Sequence, residues 1–201
     1  MTQLVLFEDS HFIIDLMYAK KENMFGRAVY EETGYGNKAY MHKDVKNALL
    51  RLIPFLEQNN LKMRLCDAYR PPLAHEKMQE LIPFPGFMAL SPELSNHCHG
   101  TAVDVCLTDI NGHNLIYPTE VDAYEKTFQQ QVAAGDFAEF KIHLQKARHD
   151  YNEASPEAVK NRQQLKSLME SVGFESIPHE WWHYNLKNWQ NYPLIPNEKA
   201  Q

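Results

Sequence analysis

The chain is 201 residues long, of which 44% are hydrophobic and 23% are charged. This composition is typical of a globular protein, and the length predicts a single domain over 1–201 that buries its core without disulfide bonds. The formal net charge is −6. This charge argues against nucleic acid as the main partner, because phosphate binding requires clustered Lys and Arg.

The first twenty residues contain only short apolar runs, which acidic residues interrupt. We therefore expect neither a secretory signal nor a membrane segment. The three cysteines (Cys66, Cys98 and Cys106) are an odd number without the spacing of a disulfide framework. They predict a reduced, cytoplasmic environment.

The first half of the chain begins with an irregular segment over 21–42, which is rich in Gly, Tyr and Asn. Apolar residues then recur every three or four positions between Val45 and Leu56, and this spacing predicts one helix, ended by two asparagines. Leu61 to Cys66 alternates apolar and basic side chains, which predicts a half-buried strand. The sequence DAYRPP, Asp67 to Pro72, follows at its end.

The second half begins with a loop over 83–96, which contains three prolines and a glycine. Thr101 to Leu107 is rich in β-branched residues and predicts a strand, with a turn at Asn111-Gly112. The polar segment from Asp122 to Lys146 predicts helix with a break at Gly135-Asp136.

A last helix is predicted from the capping pair Ser155-Pro156 to Gly173. The aromatic segment Glu180 to Leu186 predicts a buried strand. Strands and helices follow one another without a regular βαβ rhythm, so the predicted fold class is α+β.

The first candidate site is the segment SNHCHGTAVD, which leaves a loop and enters a strand. His97 and Asp104 are ligands that suit zinc, while His99 and Cys98 remain alternatives on the residues alone. Asp104 lies between two valines of an apolar strand. If it faces the core, a metal or another cation must compensate its charge, and if it faces solvent it is an ordinary surface residue.

The second candidate site is the segment HEWWHYNL. In it His183 would bind a metal and Glu180 would accept a proton from water. In a flat strand these two side chains point to opposite faces. A shared site therefore requires a bend at Glu180, and the alternative is an aromatic core strand with a hydrogen-bonded histidine.

The third candidate site is Arg70, which stands at a strand end before two prolines. Its guanidinium has the chemistry to stabilise an oxyanion or bind a carboxylate. The alternative is a structural ion pair with Asp67.

Together the three segments resemble the D-alanyl-D-alanine dipeptidase family of zinc peptidases. The matching motifs are D-[GA]-Y-R-P at Asp67 to Pro71, S-x-H-x-x-G-x-A-x-D at Ser95 to Asp104, and E-W-W-H at Glu180 to His183, in the family's order. The opening from Asp15 to Phe25 and the helix from Asn161 to Phe174 are also similar. The resemblance spans nearly the whole chain.

The resemblance implies one Zn²⁺ per chain, with His97, Asp104 and His183 as ligands and a fourth position open to water. The resemblance selects His97 over His99 as the ligand. Glu180 matches the family's catalytic base, and Arg70 matches the arginine that stabilises the transition state.

The implied reaction is hydrolysis of the D-alanyl-D-alanine dipeptide to D-alanine by metal-activated water. The implied fold is of the D,D-peptidase and hedgehog-like type, a small central antiparallel sheet flanked by helices. The expected partner is a small dipeptide, with neither nucleic acid nor a membrane as partner.

Two segments depart from the family pattern. The family binds the ammonium of its dipeptide through an Asp in a P-x-G-x-F-D segment, and Asp122 matches it by position. The Gly and Phe are missing, because Asp122 follows Pro118-Thr119-Glu120-Val121. A helical insertion over about 124–147 also exceeds the family's usual connection, and it would serve as a lid, an oligomer contact or surface decoration.

Two other functions fit parts of this pattern. A D,D-carboxypeptidase that acts on longer peptidoglycan peptides would need a more open cleft. A non-catalytic zinc-fold binding domain would need neither Glu180 nor Arg70, so these two residues argue against it.

Overall fold

The computed structural model describes residues 4–82, 88–122 and 134–197. Within those ranges the chain forms seven strands and six α-helices. The strands are β1 (Leu4–Leu6), β2 (Phe12–Ile14), β3 (Tyr40–His42), β4 (Leu61–Asp67), β5 (Ala102–Asp109), β6 (Phe174–Ile177) and β7 (Glu180–Leu186). The helices are α1 (Val29–Glu32), α2 (Lys43–Leu50), α3 (Ile53–Asn59), α4 (Pro72–Leu81), α5 (Ala138–Ala147) and α6 (Pro156–Ser171).

Five strands form one mixed sheet in the order β2-β4-β5-β7-β6. Strand β2 is parallel to β4, and the other neighbours are antiparallel. Strands β1 and β3 pair separately. The α+β prediction is therefore confirmed, but the purely antiparallel sheet is wrong at β2, whose three residues are too few for a periodic pattern.

The core surrounds β5, the central strand of the five-stranded sheet. In β5 the consecutive residues Val103, Asp104, Val105 and Cys106 are all buried. Because successive side chains of a strand point to opposite faces, the sheet is covered on both sides. Helix α6 packs on β6 and β7 on this sheet. Asp104, an ionisable residue of β5, is thus held inside the protein.

The helix predicted between Val45 and Leu56 is two helices, α2 and α3, separated by a turn at residues 51–52. Pro54 explains the break, because it has no N–H to donate to Leu50 and its ring crowds that carbonyl. The irregular prediction for 21–42 is also wrong in two places, where α1 and β3 form.

The other predicted elements are found close to their expected bounds. Strands β4, β5 and β7 are confirmed, as is the turn before Gly112, which has a φ of +90°. Of the predicted segment 122–146, α5 is helical and Gly135 precedes it with a φ of +73°. Residues 123–133, and 83–87 of the predicted loop, lie outside the described residues.

All three cysteines are buried free thiols. Among the helices in the described ranges, none combines the length and apolarity needed to cross a membrane.

Helix α6 begins as predicted, with Ser155 at its N-cap accepting a hydrogen bond of 3.2 Å from the Ala158 N–H. Replacing Ser155 with Ala removes that acceptor, and we expect the free energy of unfolding to fall by about 1 kcal/mol. Urea unfolding measures this loss. Ser155→Asp restores an acceptor and should remain near wild type, and an alanine variant as stable as wild type would contradict the capping role.

Candidate metal centre and active site

Asp104 and His183 meet because they are direct partners in the β5–β7 ladder. Side chains of directly opposed residues lie on the same face of a sheet. His97 reaches the same point from the short 3-10 helix Asn96–His99, which precedes β5.

Gly100 makes the connection between this 3-10 helix and β5. Its φ is +66°, and an added Cβ would stand 3.1 Å from the backbone nitrogen of His42 and 3.0 Å from Ile195 Cδ1. Only glycine fits this left-handed, crowded position. The turn folds His97 back towards the beginning of β5.

Three candidate ligand atoms form a compact triangle. Asp104 Oδ1 and His183 Nδ1 are 2.9 Å apart, His97 Nε2 and His183 Nδ1 are 3.2 Å apart, and His97 Nε2 and Asp104 Oδ1 are 3.5 Å apart. Ligands of a tetrahedral zinc ion with bonds of about 2.0–2.1 Å would be roughly 3.3–3.4 Å apart. These three residues therefore form a buried group able to hold a metal ion.

The second nitrogen of each histidine is hydrogen-bonded. His97 Nδ1 is 2.7 Å from the Ala68 carbonyl oxygen, and His183 Nε2 is 2.8 Å from Asn185 Oδ1. Since both partners are acceptors, these nitrogens carry the protons. The lone pairs are thus left on the nitrogens that face Asp104, as metal binding requires.

Asp104 is only 2% exposed. Burial opposes its ionisation, but His97 and then His183 outweigh that effect and hold the pKa of Asp104 well below its usual value. Burial also opposes protonation of His97, and the carboxylates of Asp104 and Asp67 raise its pKa nonetheless. Asp104 is thus held as a carboxylate, which is the form that binds a cation.

The two alternative ligands do not belong to the triangle. His99 directs Nδ1 to the Tyr192 carbonyl oxygen at 2.7 Å and Nε2 to the Glu93 carbonyl oxygen at 3.0 Å. Cys98 is fully buried, and burial raises the pKa of its thiol to about 11. His99 is thus hydrogen-bonded outside the triangle, and Cys98 is a buried thiol.

Glu180 lies beside the triangle because of an irregularity in β7. Ser176 of β6 pairs with Tyr184, but the next residue, Ile177, pairs with Glu180. The three residues in between form a bulge, which shifts the alternation of side chains. Glu180 Oε2 consequently lies 3.8 Å from His183 Nδ1, on the same side of the strand.

The Glu180 carboxyl has unusual proton affinity. Burial raises its pKa to about 8, although His183 opposes the rise. A cation in the triangle would lower this value, because a nearby positive charge favours the ionised form.

Arg70 lies in the same cavity and also makes the ion pair with Asp67. Its Nε and Nη2 donate to Asp67 Oδ2 at 3.2 and 2.7 Å. Asp67 Oδ1 accepts hydrogen bonds from the Tyr30 hydroxyl and, at 2.8 Å, from the Ala68 N–H. The structural ion pair and the placement in a cleft are therefore compatible, because Asp67 fixes one side of the guanidinium.

Asp122 is buried at the same cavity despite the missing Gly and Phe. The Tyr18 hydroxyl donates to Asp122 Oδ2 at 2.6 Å, and the Tyr18 ring lies 5.3 Å from Arg70 Cζ. Burial raises the pKa of Asp122 to about 6, with the Asp104 charge adding to the rise.

These groups line one cavity of about 210 Å³. Its polar lining brings together acidic, basic and amide side chains from segments far apart in the sequence. They include Arg70, His97, Asp104, Asp122, Glu180 and Asn185.

A family model described as D-ala-D-ala dipeptidase matches residues 5–194. This chain belongs to the D-Ala-D-Ala dipeptidase family. Among its relatives, the D-alanyl-D-alanine dipeptidase of Escherichia coli (strain K12) is 31% identical over 195 residues, which cover 96% of this chain and 88% of that protein. The D-alanyl-D-alanine dipeptidase of Enterococcus faecium is 25% identical over 201 residues, with 89% and 87% covered.

Members of the D-Ala-D-Ala dipeptidase family are metallopeptidases, and this chain is a metallopeptidase enzyme. Sequence reasoning missed three side chains that support its cavity: Tyr30, Tyr18 and Asn185. Asn185 carried a usable signal, since it follows His183 by two positions in a strand and so shares its face. Tyr18 lies in the opening segment that resembles the family.

Zinc binding should stabilise this family member, since the ligand triangle exists only in the folded state. At a free zinc concentration 100 times the dissociation constant we expect about 2.7 kcal/mol of stabilisation, a rise of several degrees in Tm. Differential scanning calorimetry with and without zinc measures it. His97→Ala should abolish the rise and His113→Ala, a change at an exposed histidine, should keep it. An equal rise in both variants would refute the site.

Proposed function

We propose that the enzyme hydrolyses the dipeptide D-alanyl-D-alanine to D-alanine, with zinc held by His97, Asp104 and His183. The observation that carries this proposal is the position of Glu180, 3.8 Å from a ligand nitrogen in a small cavity. A structural metal site needs no carboxyl group beside it. The names of the two relatives support the choice of a D,D-dipeptide.

The donor set supports zinc. Two imidazoles and one carboxylate leave a fourth position, as a catalytic zinc site requires. A zinc ion bound there would polarise the peptide carbonyl and lower the pKa of water.

Glu180 acts first as the general base and then as the general acid. It takes a proton from the attacking water and passes that proton to the leaving amine. Its Oε2 lies 3.8 Å from His183 Nδ1, close enough to the proposed metal position to serve in both steps.

Arg70 stabilises the oxyanion that develops on the substrate carbonyl. Asp67 fixes its Nε and Nη2, so the guanidinium is oriented before the substrate arrives. A donor fixed in advance needs no reorganisation in the transition state, which makes it more effective than a mobile one.

Asp122 binds the ammonium group of the dipeptide. Its carboxyl group is buried, and the Tyr18 hydroxyl holds one of its oxygens. The cavity thus has one charged group for each of two parts of the substrate. The Asp122 carboxylate binds the free amine, and Arg70 lies beside the scissile carbonyl.

The preference for a dipeptide over longer peptidoglycan peptides rests on the names of the two relatives. The volume of the cavity does not decide it, because a second cavity of about 560 Å³ shares Glu180 and three other lining residues with it. We further propose that 1–201 works as one domain of the D,D-peptidase and hedgehog-like type, because residues from Tyr18 to Asn185 line the smaller cavity. The cytoplasmic location stays a prediction.

The direct test is release of D-alanine by the zinc-loaded protein from D-alanyl-D-alanine. The L,L-dipeptide and the D,D-terminated tripeptide and pentapeptide serve as comparison substrates. We expect release from the D,D-dipeptide that a zinc chelator stops and added zinc restores. Faster cleavage of the pentapeptide would favour the carboxypeptidase alternative, and no cleavage by a zinc-bound protein would favour the binding domain.

Glu180→Gln is the matched variant for this assay, because it keeps the size of the side chain and removes the proton acceptor. We expect kcat to fall by roughly 10²–10⁴-fold, with zinc still bound. A variant with wild-type kcat would refute the assignment of Glu180 as the base.

Asp122→Asn tests how the substrate amine is bound. We expect KM for D-alanyl-D-alanine to rise by at least about tenfold, because the ammonium loses its charged partner. Steady-state kinetics with the N-acetylated dipeptide supply the control, since that substrate has no ammonium. An equal loss for both substrates would contradict a specific contact with the amine.

A further inference from the structure

Asn185 is a buried polar residue of the cavity to which the proposed reaction gives no role. It stands two positions after His183 in β7 and is 4% exposed. Its Oδ1 lies 2.8 Å from His183 Nε2, and its side chain lines the cavity.

His183 needs such a partner because its Nδ1 is the atom that faces the other two ligands. Nδ1 lies 2.9 Å from Asp104 Oδ1 and 3.2 Å from His97 Nε2. A neutral imidazole that binds a metal through Nδ1 must carry its proton on Nε2. Asn185 Oδ1 accepts that proton's hydrogen bond, and so it selects the tautomer and fixes the ring.

The side-chain amide of Asn185 also carries an NH₂ group, Nδ2. Within the described part of the chain, Asn185 Nδ2 donates no hydrogen bond to another protein atom. That NH₂ group belongs to a side chain of the cavity lining and offers two donors there. A carbonyl or carboxylate oxygen of the dipeptide is the acceptor that would match it.

A neutral amide suits this position better than a carboxylate would. Asp104, Asp122 and Glu180 already line the cavity. A further negative charge would repel the carboxylate end of a dipeptide and would offer it no donor. The neighbouring charges therefore explain why an amide accepts from His183 here.

We propose that Asn185 is a positioning residue with two contacts. Its Oδ1 holds His183 in the tautomer that binds the metal through Nδ1, and its Nδ2 donates to an oxygen of the bound dipeptide. The first contact concerns metal affinity alone, whereas the second rests on the proposed function.

Two variants separate the contacts. Asn185→Leu is close in size and removes both, whereas Asn185→Asp keeps the acceptor for His183 and removes the donor. Zinc affinity is measured by competition with a chromophoric chelator, without substrate. We expect Asn185→Leu to bind zinc about 10–100-fold more weakly and Asn185→Asp to bind it at least as tightly as wild type.

The second readout is the split between KM and kcat for D-alanyl-D-alanine. With zinc saturating, we expect Asn185→Asp to raise KM at least about tenfold, because it loses one buried hydrogen bond and adds a negative charge that repels the carboxylate of the dipeptide. The change in kcat should be smaller. The control is Asn161→Leu on α6, which removes a buried amide that donates to the Ile116 carbonyl at 3.0 Å. It should leave zinc affinity unchanged.

Wild-type zinc affinity in Asn185→Leu would overturn the positioning role, and wild-type KM in Asn185→Asp would overturn the donor role. Equal losses of zinc affinity in Asn161→Leu and Asn185→Leu would reduce the effect to general destabilisation and so overturn the proposal. A zinc-binding wild type that leaves the dipeptide intact would refute the proposed function while the zinc test of Oδ1 still stands.

Discussion

The burial of the Asp104 carboxylate is the constraint on which the rest of the site depends. Asp104 is 2% exposed on a central strand that is covered on both faces. An isolated charge there would cost far more free energy than one side chain's packing can return. His97 and His183 lie at distances from it that suit a shared cation, so the three side chains form a group able to hold a metal ion.

Three features of the backbone bring the other groups to this carboxylate. The β5–β7 register sets His183 opposite Asp104, and the bulge in β7 brings Glu180 to the same side. Gly100 turns His97 back over the beginning of β5. The chemistry of the cavity is thus a consequence of pairing and backbone geometry, and the surrounding hydrogen bonds of Ala68 and Asn185 fix the side chains that the backbone delivers.

The sequence predicted the elements with strong local signals and the residues of the metal group. Glycine boundaries, β-branched strands and the Ser155 cap were readable because each acts within a few residues. The break between α2 and α3 at Pro54 was missed, although its cause is equally local. The parallel pairing of β2 and the Tyr18–Asp122 hydrogen bond were not readable, because each depends on residues far apart in the chain. For the same reason, reasoning from the residues alone left His99 and Cys98 open as ligands. A bend at Glu180 was expected as the condition for a shared site, and the bulge in β7 supplies it.

X-ray absorption spectroscopy at the zinc edge of the loaded protein tests the metal centre most directly. The proposed site predicts one zinc ion per chain with two imidazole ligands and two further oxygen ligands at about 2.0–2.2 Å. A sulfur scatterer at about 2.3 Å would show a cysteine ligand, and a third imidazole would show a further histidine ligand. Either spectrum would contradict a centre built on His97, Asp104 and His183.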